Sequence, residues 1–159
     1  MKVTVVAVGR LKTGPERELL DRYRERADRA GRQHGLSFDS REIAESGARN
    51  PATRKDEEAA AILAAIPAGA VLVALDERGK LLDSRGFADR IAAWRDGGAR
   101  DLAVVIGGPD GLAPAFTDRA DLRLAFGAMT WPHQLVRVML AEQVYRAVTI
   151  LSGHPYHRD

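Results

Sequence analysis

Leu102-Ala103-Val104-Val105-Ile106-Gly107-Gly108-Pro109-Asp110-Gly111-Leu112 is the stretch on which the fold turns. An unbroken apolar run, β-branched at Val104, Val105 and Ile106, gives way to a loop of glycines and one proline. That pattern predicts a strand buried on both faces and closed by a tight loop. Strands of this kind belong to largely parallel sheets, because parallel neighbours need crossover connections and the crossing helices cover both faces.

The flanking sequence repeats the theme. Val3 to Val8 is β-branched and closed by Gly9, and Ala70 to Leu75 is a second clean apolar run. Leu36 to Ile43 and Leu122 to Phe126 read as two further strands. Between them, Pro15 to Gly31 carries Leu19, Leu20, Tyr23 and Ala27 at helical spacing amid alternating charges. Ala44 to Asn50 is loop, and Asn50-Pro51 opens a helix, with Asn as N-cap and Pro in the first position. That helix runs to about Ile66, where Pro67 and Gly69 end it. Asp76 to Leu82 is a polar loop, Asp83 or Ser84 caps a helix through Trp94, and Gly97-Gly98 stops it. A short helix near Pro114 follows the glycine loop. Pro132 to Ser152 is the longest helix, about 30 Å at ~1.5 Å per residue. Strands alternating with helices predict an α/β fold, a mainly parallel sheet flanked by helices, in a single domain over residues 1–159.

Composition limits the function classes. The 159 residues are 45% hydrophobic, enough for a core, and 29% charged, which argues against disorder. The absence of cysteine excludes disulfides, thiolate metal sites and cysteine nucleophiles, and suits a cytoplasmic protein. The opening apolar run is too short for a signal peptide, and no run approaches the ~20 residues of a membrane helix. A net charge of +2 points only weakly to nucleic acid, since a local basic patch matters more than the total.

The last helix is apolar on two sides. Leu135, Val138, Met139 and Tyr145 share one face, and Val136, Leu140, Val144, Val148 and Leu151 another. One side can cover the sheet; the other predicts a homodimer. The alternative is a central helix of a monomer. Arg137, Glu142 and Arg146 interrupt the pattern, with Glu142 spaced to pair with either arginine, or with Arg137 or Glu142 placed at a shared dimer site.

Three loops leave strand ends: Leu75-Asp76-Glu77-Arg78-Gly79-Lys80, the glycine loop, and Phe126-Gly127-Ala128-Met129-Thr130-Trp131-Pro132-His133. Loops at strand carboxyl ends can converge on one ligand. The glycine loop is neither G-x-G-x-x-G nor a P-loop, and Asp110 is a poor neighbour for phosphate. A cationic ligand without phosphate, such as S-adenosylmethionine, suits it better; a plain tight turn is the alternative. The third loop supplies backbone amides and apolar walls fit for an adenine ring, or simply leads the core into the helix. The tail Gly153-His154-Pro155-Tyr156-His157-Arg158-Asp159 concentrates groups that stack on a base, contact phosphate or move a proton. A solvated His-rich end is the alternative, and a metal site lacks a third ligand.

Together these stretches resemble the small SPOUT-class bacterial methyltransferases of large-subunit (23S) ribosomal RNA, which methylate N3 of a pseudouridine. The matching segments are Val6 to Gly9, Leu75-Asp76 with Gly79-Lys80, Ile106 to Leu112, Thr130 to His133, Leu135 to Val138, Ala141-Glu142 with Tyr145 to Ala147, and His154 to Arg158, spread over the whole chain. The resemblance implies a C-terminal trefoil knot, an exception among folds, and a long C-terminal helix at a dimer interface. It implies S-adenosylmethionine held by Leu75, Gly107, Phe126, Gly127, Ala128, Met129, Thr130 and Trp131. It also implies catalytic roles among His154, Tyr156, His157, Arg137 and Glu142, RNA contacts from His154, Tyr156 and Arg158, and no metal. The expected partner is ribosomal RNA within the assembled ribosome, because little surplus charge is present to grip free RNA. Against this stand a non-enzymatic RNA-binding or ribosome-associated factor and a flavodoxin-like nucleotide-binding enzyme.

Overall fold

A computed structural model describes residues 1–158; the last residue of the tail, Asp159, lies outside them. Five strands, β1 (Lys2–Val8), β2 (Ser37–Ile43), β3 (Val71–Leu81), β4 (Asp101–Ile106) and β5 (Leu122–Ala125), form one sheet in the order β2-β1-β4-β3-β5. Every pairing is parallel. Among the described residues four helices connect them, α1 (Pro15–Gly31), α2 (Pro51–Ala65), α3 (Ser84–Asp96) and α4 (Pro114–Thr117), and a fifth, α5 (His133–Leu151), follows β5. A 3-10 turn at Arg32–His34 finishes α1, and Gly35 then leaves in the left-handed region at φ 68°. Among the described residues no helix is long and apolar enough to cross a membrane.

Side chains alternate across the strands, so each strand feeds two cores. Val3, Val5 and Ala7 of β1, with Val73, Leu102, Val104, Ile106, Leu122 and Leu124, face α1, α3 and α5. Val6, Val8, Ala74 and Val105 face Ile62 of α2 and Phe116 of α4 on the opposite side. This double burial is why the central strands β1 and β4 are almost wholly apolar beyond their first residues. Caps fall where the residue types require. The Asn50 side chain accepts from the Ala52 and Thr53 amides, and the Asp83 side chain from the Gly86 amide. Trp94 packs against the larger core, as its helical position predicts.

The structure departs from the expected polar loop at Asp76–Leu82. β3 continues to Leu81, and Leu75 and Lys80 both stand opposite Leu124 of β5. The four residues between them are looped out of the ladder, while the backbone crosses β5 at Gly79. A Cβ on Gly79 would sit 2.6 Å from the Leu124 carbonyl carbon and 2.7 Å from Leu124 N and the Arg123 carbonyl carbon. Only glycine lets two backbones approach so closely. No local signal separates this from an ordinary turn, because its cause lies 44 residues further on.

The two-sided character of α5 also has an internal answer. α5 packs on the sheet and also against α1 and α3. Leu140, Val144 and Val148 are fully buried, whereas Leu135 stays 40% exposed.

Gly79→Ala is expected to lower the unfolding free energy by about 1–3 kcal/mol, the usual cost of forcing atoms into filled space. Gly47→Ala, where an added Cβ meets nothing within 4 Å, is the control. Urea denaturation of both variants separates backbone crowding from a general intolerance of alanine.

Candidate active site

β3, β4 and β5 end side by side. The register sets Leu75 against Ile106 on one flank and against Leu124 on the other. The chains leaving these strands therefore start from adjacent points on the carboxyl edge, where open α/β sheets bind ligands. Leu75, predicted to share a site with Gly107 and Phe126, thus stands beside Ile106 and Leu124, the residues one and two places before them.

The glycine loop is a closed turn. The Gly111 amide donates to the Gly108 carbonyl at 2.9 Å, and Gly111 has φ 80°. Gly107 lies under the turn: a Cβ there would come within 2.8 Å of the Gly111 carbonyl carbon and 2.9 Å of Leu112 N. Asp110 does not offer a free charge to a cationic ligand. Its carboxylate accepts from Arg54 Nε at 2.5 Å. In the third loop, Gly127 has φ 116° with open space where a side chain would project. Ala128 to Trp131 are exposed, Met129 to 75%.

The flavodoxin-like alternative places its ligand elsewhere, in the crevice between β1 and β4, where successive connections diverge. Glu58 of α2 occupies that crevice. It is only 4% exposed, and a Cβ on Gly108 would lie 3.0 Å from its carboxylate and 3.2 Å from Val8. A buried carboxylate at this point disfavours phosphate, so the geometry does not suit a nucleotide bound in that way.

A cleft of about 610 Å³ opens beside the third loop. Ala125, Phe126 and Gly127 form one wall, Leu81 to Ser84 another, and Val138, Met139, Glu142 and Gln143 of α5 a third, with Leu19 and Tyr23 of α1 at the rim. Leu75 and Gly107 do not line it. The strand-end edge and the cleft are therefore neighbours joined through Phe126 and Gly127. Several of these residues escape sequence reasoning. Tyr23 reads as part of an amphipathic surface helix, and Asp83 and Ser84 as caps. Ser84 Oγ donates to Gln143 Oε1 at 2.8 Å across 59 residues, a contact without a local signal.

The tail begins with a left-handed glycine. Gly153 (φ 67°) donates to Ile150 O at 3.2 Å and His154 donates to Thr149 O at 2.9 Å, which turns the chain back along α5. Tyr156 then packs on Tyr145 at 4.7 Å between ring centroids, under Arg146 at 4.9 Å. Its hydroxyl donates to Glu142 Oε1 at 3.0 Å. Burial, the neighbouring Tyr23 hydroxyl and the Glu142 carboxylate push the Tyr156 phenol well above the usual tyrosine range. A phenol held this way favours its protonated form. Glu142 is also engaged, by Arg146 Nε at 2.9 Å and Nη2 at 2.5 Å and by Gln143 at 2.8 Å. His154 Nδ1 accepts the Tyr156 amide at 3.2 Å, His157 Nδ1 lies 3.4 Å from Arg146 Nη1, and Arg158 is exposed. Among the described residues no three His, Asp or Glu side chains converge as a metal site would require.

Arg137 does not join this cluster and does not pair with Glu142. It is 5% exposed, and its Nη2 donates to the Val8 carbonyl at 2.6 Å and the Gly9 carbonyl at 3.0 Å. Nη1 reaches Glu42 at 3.4 Å. Burial holds its pKa below the ordinary arginine value, partly offset by Glu42. A side chain so enclosed anchors the end of β1 to α5.

The family model described as "Predicted SPOUT methyltransferase" matches residues 1–157. The chain is 60% identical over 159 residues to "Ribosomal RNA large subunit methyltransferase H" of Nitrobacter hamburgensis, covering 99% of each chain. It is 62% identical to the protein of the same name from Bradyrhizobium diazoefficiens, again over 99% of both. A probable methylase family protein from Haemophilus influenzae shares the fold, with a TM-score of 0.51 at 12% identity, over 99% of this chain and 70% of that one.

Two substitutions probe these charges. Arg137→Ala should cost about 1–3 kcal/mol of stability in urea titrations, since it removes the donor to the Val8 and Gly9 carbonyls, while Glu42 keeps Arg17 and the Leu11 amide. For Tyr156 the sign follows from its raised pKa. Above about pH 10 the unfolded phenol loses its proton while the folded one keeps it, so stability falls as pH rises. Between about pH 9 and 10.5, wild-type protein should therefore lose more stability than Tyr156→Phe; equal losses would contradict the buried, protonated phenol.

Proposed function

Because the chain belongs to the SPOUT methyltransferase family, we propose that it transfers a methyl group from S-adenosylmethionine to N3 of a pseudouridine in large-subunit ribosomal RNA. The observation that carries the site assignment is the convergence of the ends of β3, β4 and β5 at one edge. The relatives named above, close to 60% identical over nearly their whole length, support the substrate class.

The residues present fit the cofactor. Gly127 leaves space over an exposed backbone, Phe126 and Leu124 supply apolar walls, and Gly107 sits beneath a turn whose acidic side chain is already paired. Bound there, S-adenosylmethionine supplies an electrophilic methyl on sulfur. Each turnover forms one N–C bond, breaks one S–C bond and releases the N3 proton. The chain's part is chiefly to hold the two reactants in line and to exclude water. Leu75, Gly107 and Phe126 to Trp131 bind the cofactor. Tyr156 and Glu142 hold the tail against α5, Arg158 meets RNA phosphate, and removal of the N3 proton falls to the imidazoles of His154 and His157. Crossing of the chain at Gly79 supports a trefoil knot in the C-terminal part.

The protein acts as a homodimer. Leu81, Met129, Trp131, Leu19 and Leu135 are large apolar side chains left exposed on one protomer. A second copy that covers them also brings its tail to the cofactor of the first, so that the active site is shared. The substrate is ribosomal RNA in the assembled particle, in the cytoplasm. A binding factor without enzymatic activity would need the tail but would have no use for three convergent strand-end loops.

Calorimetry with S-adenosylmethionine and mass mapping of ribosomal RNA from a strain lacking the gene test the assignment. Deleting residues 154–159 should leave the protein folded and abolish methylation. Full methylation by the truncated protein would remove the tail from the active site, and no cofactor binding by wild-type protein at physiological concentration would sink the assignment itself.

A further inference from the structure

Two side chains of α2 stand one turn apart and face the carboxyl edge, yet neither takes part in the chemistry above. Arg54 donates through Nε to Asp110 at 2.5 Å and through Nη1 to the Ala48 carbonyl at 3.2 Å. Glu58 accepts the Ser46 amide at 3.0 Å, and its other carboxylate oxygen lies against Gly108. Each side chain thus touches two loops at once, the one that follows β2 and the glycine turn that follows β4.

α2 is itself rigidly seated. Ile62 is fully buried against β1, β4 and Phe116, and Asn50 caps the first turn. The glycine turn is the opposite. Three glycines give it a large conformational entropy to lose on ordering, and one backbone bond, Gly111 to Gly108, closes it. Its shape needs an external brace, and Arg54 and Glu58 stand where a brace must be. The Arg54–Asp110 pair is partly shielded, with both side chains about 30% exposed, so solvent weakens it only in part.

We propose that Arg54 and Glu58 are positioning residues for the methyl transfer. They strap the 107–111 turn into the shape that receives the cofactor, which makes α2, distant in sequence from every loop at the site, part of the active-site framework. The inference rests on the cofactor lying against Gly107, as argued above. It assigns Asp110 a role through Arg54 rather than toward the ligand, and it explains a buried acid in a crevice that other α/β proteins keep for nucleotides.

The test compares Arg54→Ala, Asp110→Ala, their double variant and the swap Arg54→Asp with Asp110→Arg. Each single substitution should raise the KM for S-adenosylmethionine roughly three- to tenfold and change kcat less than about twofold. The double variant should be no worse than either single, and the swap should recover most of the loss. Glu58→Gln, which keeps an acceptor for Ser46, should retain a KM within about twofold of wild type, whereas Glu58→Ala should not. Unchanged KM in the single variants, or additive losses in the double, overturns the proposal. Hydrogen exchange of the Gly111 amide without cofactor gives a second readout that does not depend on activity. Exchange should quicken several-fold in Arg54→Ala, and unchanged exchange overturns the strap whether or not cofactor binds. If wild-type protein binds no S-adenosylmethionine while Arg54→Ala still loosens the turn, the functional assignment fails, and the strap's role toward a cofactor fails with it.

Discussion

The backbone of Gly79 lies directly on the backbone of Arg123 and Leu124, with no room for a single carbon between them. Much of the molecule depends on this contact. It lets β3 run beside β5, loop four residues out and return opposite the same Leu124. It sets the carboxyl ends of β3, β4 and β5 next to one another, and it delivers Leu81 to Ser84 to the wall of the cleft and α3 to the flank of α5. A side chain at this position would push the two backbones apart where they cross.

Electrostatics at the site follows a consistent rule. Charges that a sequence reading assigns to chemistry are largely satisfied within the protein: Asp110 by Arg54, Glu142 by Arg146 and Tyr156, and Arg137 by Glu42 and two carbonyls. Around these pairs the strand-end loops offer backbone and apolar surface, at Gly127 and Met129 above all. That inventory suits an in-line transfer between two bound reactants, in which placement contributes more than strong acids or bases. It suits poorly a reaction that must stabilise a large developing charge.

Much of this was legible in the chain. Double-sided apolar strands, an Asn-Pro helix start, glycine stops and a long final helix are local patterns, and they yield the elements and the parallel class because burial on two faces demands them. The loops after β4 and β5 were also legible, since the chain must turn where strands end, and the register sets Leu75 beside Ile106 and Leu124. Arg137 was not. Its spacing on α5 fits a partner at Glu142 as well as one at Glu42, and only the position of β1 against the helix decides between them. Nor were the surroundings of Tyr156, since only the folding of the tail onto α5 brings it to Tyr145, Arg146 and Glu142.

The sequence by itself determined most of the strands, helices and turns, the stretch after Leu75 excepted, and that the sheet is parallel and covered on both sides. Those properties depend on residues within a few positions of one another. Tertiary structure alone decided the crossing at Gly79, the seat of Glu58 between β1 and β4, the pairing of Arg54 with Asp110 and the folding of the tail onto Glu142. Each of these brings together groups from separate segments, and the energy of such contacts depends on distance and burial in space, which composition, periodicity and spacing along a chain do not encode.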